Sequence, residues 1–253
     1  ILNTSQAKGI TLGLPPDYLQ SLITSGATNL MNYLTHNPDE NVYLSPDRNQ
    51  SRMTMINVLV HEYAHAYQAS LCSQQPLPDL LKLETTLMIP LAEALAFHRE
   101  WEFYAAAAEL LNRPNLNPVE KNYLAIFGAD AVEQAQGVLA FEMETRIWRV
   151  IRFLRAVCDA SVNLGERSYV DFVNWAHDHT QLSREFIHNE CFEFLGQPGY
   201  TPSYAVCGAL YGDLQAEKLN QGVSIKSFNT QACDMGVYPW PIAVVRMGQF
   251  KAV

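Results

Sequence analysis

No apolar run in the chain approaches the ~20 residues of a membrane span, so none is expected to cross a bilayer as a helix. Basic residues are scarce: 17 Lys and Arg stand against 26 Asp and Glu, a formal charge of −9. That balance argues against nucleic acid or an anionic membrane as partner and mildly favours neutral or cationic substrates. The five cysteines are dispersed and contain no C-x-x-C pair, which excludes a disulfide scaffold and leaves an odd thiol. Internal repeats, low-complexity tracts and evident linkers are missing as well. No signal peptide is visible. The chain begins at Ile1, which leads us to expect a processed product, soluble in the cytoplasm or secreted after a signal has been removed. Asn3-Thr-Ser and Asn49-Gln-Ser fit the glycosylation sequon, but two matches are what chance provides.

The chain has 253 residues, 48% of them hydrophobic, enough for a sizeable core. Residues 1–50 read as a loop-rich segment with one helix at about Pro16–Leu34 and a short extended stretch from Asn41 to Ser45. Ser51 then reads as an N-cap. Met55, Ile56, Leu59, Val60, Tyr63 and Tyr67 recur at helical spacing and predict the buried stripe of a helix ending near Ser70. A second helical region, about Pro78–Leu111, is expected to break or kink at Pro90. Asn117-Pro118-Val-Glu120 is a well-formed helix start. Further helices are predicted at about Asp130–Val162, Ser168–His179, Ser183–Leu195, Pro202–Asn220 and Ser227–Met235. Ile242–Val245 is a strand candidate. The whole reads as one mainly α domain with little β structure, spanning 1–253.

Chemistry enters at His61-Glu62-Tyr63-Ala64-His65, an H-E-x-x-H pattern inside a predicted helix. Positions i and i+4 lie one above the other on a helix, so His61 and His65 can aim two imidazoles at one ion. Glu62 is then placed to act as general base on a water at that ion. Chance produces this pattern in roughly one chain of this length in a hundred, so it is worth pursuing. A zinc hydrolase site needs a third ligand and an open position. Glu84 fits the H-E-x-x-H-x18-E spacing of many zinc peptidases. Glu93 begins a fresh helix after Pro90, where Ala92, Ala94 and Ala96 would allow close approach. A His/His/Glu set favours Zn2+ over manganese or cobalt.

These segments resemble a known family, the zinc-peptidase-like domain-of-unknown-function 885 proteins, which belong to the large H-E-x-x-H clan of zincin-like metallopeptidases. Val60–Gln68 is similar to the family's H-E-x-x-P-G-H-H-x-Q, and Glu93–Glu100 to its E-G-W-A-L-Y-x-E. Arg155–Asn163 resembles R-L-V-x-D-T-G-I-H, and Pro198–Tyr204 resembles P-G-Q-A-x-S-Y. The likeness implies a helical metallopeptidase domain acting on a peptide or small amide, with His61, His65 and Glu93 as ligands. It departs from the family at Ala94, where Gly is usual, and at Asn163, where His is usual. Members usually carry a further N-terminal helical half, so a missing half or a partner chain is expected here.

Tyr204, opening a helix after a Gly- and Pro-rich loop, is our candidate donor to the developing oxyanion. Arg155 could hold a substrate carboxylate and His98 could reach substrate. Asp159 could orient a ligand histidine. His177 and His179 flank Asp178 but diverge on a helix, so they are expected at the surface. A small-molecule amidase, a biosynthetic metalloenzyme on the same site, and a zinc-stabilised binding module without turnover are the alternatives.

Overall fold

The computed structural model describes residues 11–13, 32–33, 41–43, 51–78 and 89–251. The fold is mainly α. Three short strands, β1 (Thr11–Gly13), β2 (Asn32–Tyr33) and β3 (Asn41–Tyr43), form a small sheet in the order β1-β3-β2. β3 pairs in parallel with β1 and antiparallel with β2. It occupies the stretch expected to be extended. The helix predicted at Pro16–Leu34 is corrected at its end, where Asn32 and Tyr33 are strand; the rest lies outside the described residues.

The helices are α1 (Arg52–Ser73), α2 (Ile89–Leu111), α3 (Pro118–Ala125), α4 (Ala131–Asn163), α5 (Tyr169–Thr180), α6 (Arg184–Cys191), α7 (Pro202–Asn220), α8 (Ile225–Asp234) and α9 (Trp240–Met247). A 3-10 turn, Phe192–Gly196, follows α6. Local chemistry sets the starts. The hydroxyls of Ser51, Ser168, Ser183 and Ser224 each accept from a backbone N–H of the first turn. Each such cap is worth about 1 kcal/mol. Asn117 and Glu120 form the reciprocal capping box that the sequence implies.

Most of the helical region expected before Pro90 lies outside the described residues, and Pro90 is the second residue of α2. Two expectations are corrected. Ile242–Val245 is helix, not strand, because Pro239 and Pro241 set up the first turn of α9. The stripe predicted to be the buried face of α1 is half-buried from Met55 to Tyr63 and fully buried at Tyr67, and a polar row, Asn57, His61, His65 and Gln68, is buried as well.

α2 is the central helix, packed against α1, α4 and α7. Ala92, Ala94 and Ala96 are wholly buried, and their small side chains let its neighbours come close. On α7, Gly208 has the same effect: a Cβ there would lie 2.3 Å from Cδ1 of Phe97. Beside this contact, a buried network ties α2, α7 and α8 together. Arg99 pairs with Glu102, and Gln215 Nε2 donates to Glu102 (2.7 Å) and to Asn229 (2.8 Å).

Candidate metal centre

His61 and His65 lie one turn apart on α1, and Glu93 faces them from α2. Their three donor atoms form a nearly equilateral triangle. His61 Nε2 is 3.2 Å from His65 Nε2 and 3.2 Å from Glu93 Oε2, and His65 Nε2 is 3.4 Å from that same oxygen. Zinc–ligand bonds of about 2.0–2.1 Å in a tetrahedron require ligand–ligand edges of about 3.3 Å. The triangle therefore has the size of one face of a zinc tetrahedron. All three residues are buried, between 6% and 8% exposed. Glu84, the other candidate ligand, lies outside the described residues.

The second nitrogen of His61 explains why the first faces the triangle. Nδ1 is 2.8 Å from Glu100 Oε1. Burial would raise the Glu100 carboxyl, but the Arg152 charge and His61 hold it below its ordinary value, so it is an acceptor. The proton of a neutral His61 therefore sits on Nδ1, and Nε2 presents a lone pair to the other two ligands. Glu100 is itself fixed: Arg152 Nη1 donates to its Oε2 at 2.7 Å, and Asn57 Nδ2 reaches the same oxygen at 3.4 Å. The Thr145 hydroxyl on α4 donates to the Phe141 carbonyl at 2.9 Å and lies 3.4 Å from Asn57 Oδ1. Asn57, His61 and His65 thus form a ladder on α1, braced by Glu100 from α2 and Arg152 from α4.

Electrostatics fit a cation. Burial opposes charge on His61, yet Glu100 and Glu93 outweigh it and raise its pKa. Burial would likewise raise Glu93, but the two imidazoles hold it well below the usual carboxylate range. Two lone pairs and a carboxylate crowded within this triangle need positive charge, which either protons or a divalent metal can supply.

Glu93 uses its other oxygen differently. The Tyr200 hydroxyl donates to Oε1 at 2.9 Å, and the Tyr204 hydroxyl donates to Tyr200 at 3.1 Å. Burial, reinforced by Glu93, raises both phenols, so they remain donors. The Tyr204 ring also stacks near His61, with centroids 6.2 Å apart.

The predicted site residues divide. His61, His65 and Glu93 come together, with Tyr204 one hydroxyl behind Tyr200. Glu62 is half-buried on α1, next to His61. Asp159 does not orient a histidine. Its Oδ2 accepts from Gly199 N (2.8 Å) and Thr201 Oγ1 (3.1 Å), which anchors the loop that presents Tyr200. Arg155 is committed to Glu190, donating to its carbonyl at 2.8 Å and its carboxylate at 2.5 Å. His98 faces α7 and meets Gln215 at 3.0 Å, inside the structural network. The Nδ1 atoms of His177 and His179 contact the backbone carbonyls of Leu182 and Trp175. Sequence reasoning missed Glu100, Arg152, Asn57 and Tyr200. Signals existed for two of them: Asn57 stands one turn before His61, and Glu100 two turns after Glu93.

Comparison with protein-family models, with curated proteins and with solved structures returned no match.

Proposed function

We propose that the chain is a zinc-dependent hydrolase of peptide or amide bonds. One observation carries this reading: three buried donor atoms spaced as one face of a zinc tetrahedron, on an H-E-x-x-H helix. Zinc held there would supply a Lewis acid, acidifying water and polarising a substrate carbonyl. Glu62 takes the proton of the attacking water and delivers it to the leaving amine. Tyr204, turning its hydroxyl from Tyr200 to the substrate, donates to the oxygen that becomes negative, while Tyr200 keeps its proton on Glu93. Glu100 and Arg152 keep His61 in the right tautomer and orientation. The likeness of Val60–Gln68 and Glu93–Glu100 to motifs of the domain-of-unknown-function 885 family supports the same ligand set. Membership of that family, with a zincin-like core, belongs to the proposal.

Metal content per chain, measured by mass spectrometry on protein purified without chelator, tests the site. About one zinc per chain is expected. Protein that carries no metal and takes up none on adding zinc overturns the reading. Glu62→Gln should keep the metal and lose cleavage of a peptide library by several orders of magnitude; full activity in that variant would remove Glu62 from the mechanism.

A further inference from the structure

Glu93 enters the candidate metal centre with one oxygen only. Oε2 stands at a corner of the triangle, 3.2 Å from His61 Nε2 and 3.4 Å from His65 Nε2. Oε1 is turned to the Tyr200 hydroxyl, 2.9 Å away, the one hydrogen bond it makes among the described residues. A carboxylate can hold a cation through one oxygen or through both. Through both, Glu93 would fill coordination space that a hydrolytic zinc site keeps for water. The loop before α7 is shaped to deliver the Tyr200 hydroxyl. Gly199 has φ +85°, a conformation that glycine adopts without strain. Its N–H donates to Asp159 Oδ2 at 2.8 Å. On the other side of Tyr200, the Thr201 hydroxyl lies 3.1 Å from that same oxygen and 3.0 Å from the Arg155 carbonyl. Both neighbours of Tyr200 are thus tied to α4. The ring is held as well, stacked on Phe194 with centroids 5.6 Å apart and planes at 20°.

We propose that Tyr200 is a positioning residue that holds Glu93 to one-oxygen ligation and so keeps a metal position open for water. The proposal rests on the zinc reading above and adds a role for a residue that touches no ligand atom of the triangle. Its basis is competition for Oε1. To reach the metal, that oxygen must give up a hydrogen bond from a hydroxyl to a carboxylate, a class about twice as strong as a neutral pair. The Tyr204 hydroxyl donates to the Tyr200 oxygen at 3.1 Å, so the Tyr200 proton is left for Glu93. A phenylalanine at position 200 offers Oε1 nothing. A buried carboxylate oxygen without a donor is costly, and the nearest cation is then the metal itself. Loss of the hydroxyl therefore converts Glu93 from one-oxygen to two-oxygen ligation.

Visible absorption of the full chain loaded with one equivalent of cobalt(II) tests it. Cobalt reports its own geometry: four-coordinate ions absorb strongly and five-coordinate ions weakly. Wild type should show the strong bands. Tyr200→Phe removes one oxygen at a half-buried position and keeps the ring on Phe194, so it should fold, bind one metal and lose most of that absorption. Tyr204→Phe leaves the bond from Tyr200 to Glu93 in place and should absorb as wild type does. Zinc affinity of Tyr200→Phe, measured against a chromogenic chelator, should not fall by the factor of about ten or more that loss of a supporting hydrogen bond typically costs, because a second oxygen compensates. A wild-type chain that takes up neither cobalt nor zinc would overturn the zinc reading and this proposal with it. Metal bound with one and the same spectrum in wild type and Tyr200→Phe would overturn this proposal alone. A folded Tyr200→Phe chain that loses its metal would make Tyr200 a support for binding and overturn it equally. A Tyr204→Phe spectrum as weak as that of Tyr200→Phe would remove the role from Tyr200.

Discussion

Replacing Glu100 separates the stability of the fold from the geometry of the candidate metal centre. Its side chain is wholly inaccessible, and it holds Arg152 (2.7 Å) and His61 (2.8 Å), both nearly as deep. Glu100→Gln keeps the volume and removes the charge. The Arg152 guanidinium is then buried without a counterion, which costs about 3–5 kcal/mol when one member of a buried pair is deleted. His61 also loses the carboxylate that fixes its tautomer, and such losses typically weaken metal binding 10–100-fold, or about 1.4–2.7 kcal/mol. The two effects can be told apart with a second variant. Glu100→Leu combined with Arg152→Leu removes both charges at once, and apolar replacement of a whole buried pair is often neutral or stabilising. Urea unfolding of metal-free protein should therefore show Glu100→Gln destabilised by about 3–5 kcal/mol and the double variant within about 1 kcal/mol of wild type. Zinc affinity, measured by competition with a chromogenic chelator, should fall in both. Wild-type zinc affinity in the double variant would refute the positioning role. A loss below about 1 kcal/mol in Glu100→Gln would refute the burial argument.

Two further outcomes are expected. Gln68 is 1% exposed, and neither its amide oxygen nor its nitrogen finds a partner among the described residues, so Gln68→Leu should stabilise the metal-free protein by about 1–3 kcal/mol in urea unfolding; destabilisation would reveal a partner for the amide. Burial would raise Glu102, but Arg99, followed by His98, lowers it below the ordinary 4.5. A carboxyl depressed in the folded state contributes stability that is whole above that ordinary value and drains away as pH falls through the folded one. Stability should thus decline below about pH 4.5, and Glu102→Gln should flatten that decline in urea titrations at stepped pH; an unchanged slope would clear Glu102 of the effect.

What could be read from the sequence follows from what kind of interaction each feature depends on. Helix starts are local: Ser51, Asn117, Asp130, Ser168 and Ser183 announce themselves through a cap and the first turn alone, and the structure places helices where they do. The pair His61 and His65 is local for the same reason, since the helix by itself sets their separation. The third ligand is less local, and proximity in sequence could not choose between Glu84 and Glu93. The residues behind the ligands are not local at all. Glu100 and Arg152 meet because α2 and α4 cross at one height. Asp159, read as a support for a ligand histidine, instead holds a loop that the sequence gives no reason to bring near.

Periodicity fails in a distinct way, because it reports that a face is apolar and not which way it points. On α1 the apolar stripe from Met55 to Tyr63 is only half-buried, while the polar ladder of Asn57, His61 and His65 is buried. An apolar residue gains about 25 cal/mol for each Å² it buries and loses little when half-exposed. A lone buried imidazole would be costly, but one supplied with Glu100, Glu93 and Arg152 is not. On α4 the same ambiguity runs the other way: Leu139, Met143, Val150, Phe153 and Val157, which periodicity alone could send inward, lie on the outer side, because the opposite face carries the buried Thr145, Arg152 and Asp159. In both helices the polar residues decide the orientation. Each of them needs a specific partner, and the apolar residues accept whatever surface is left.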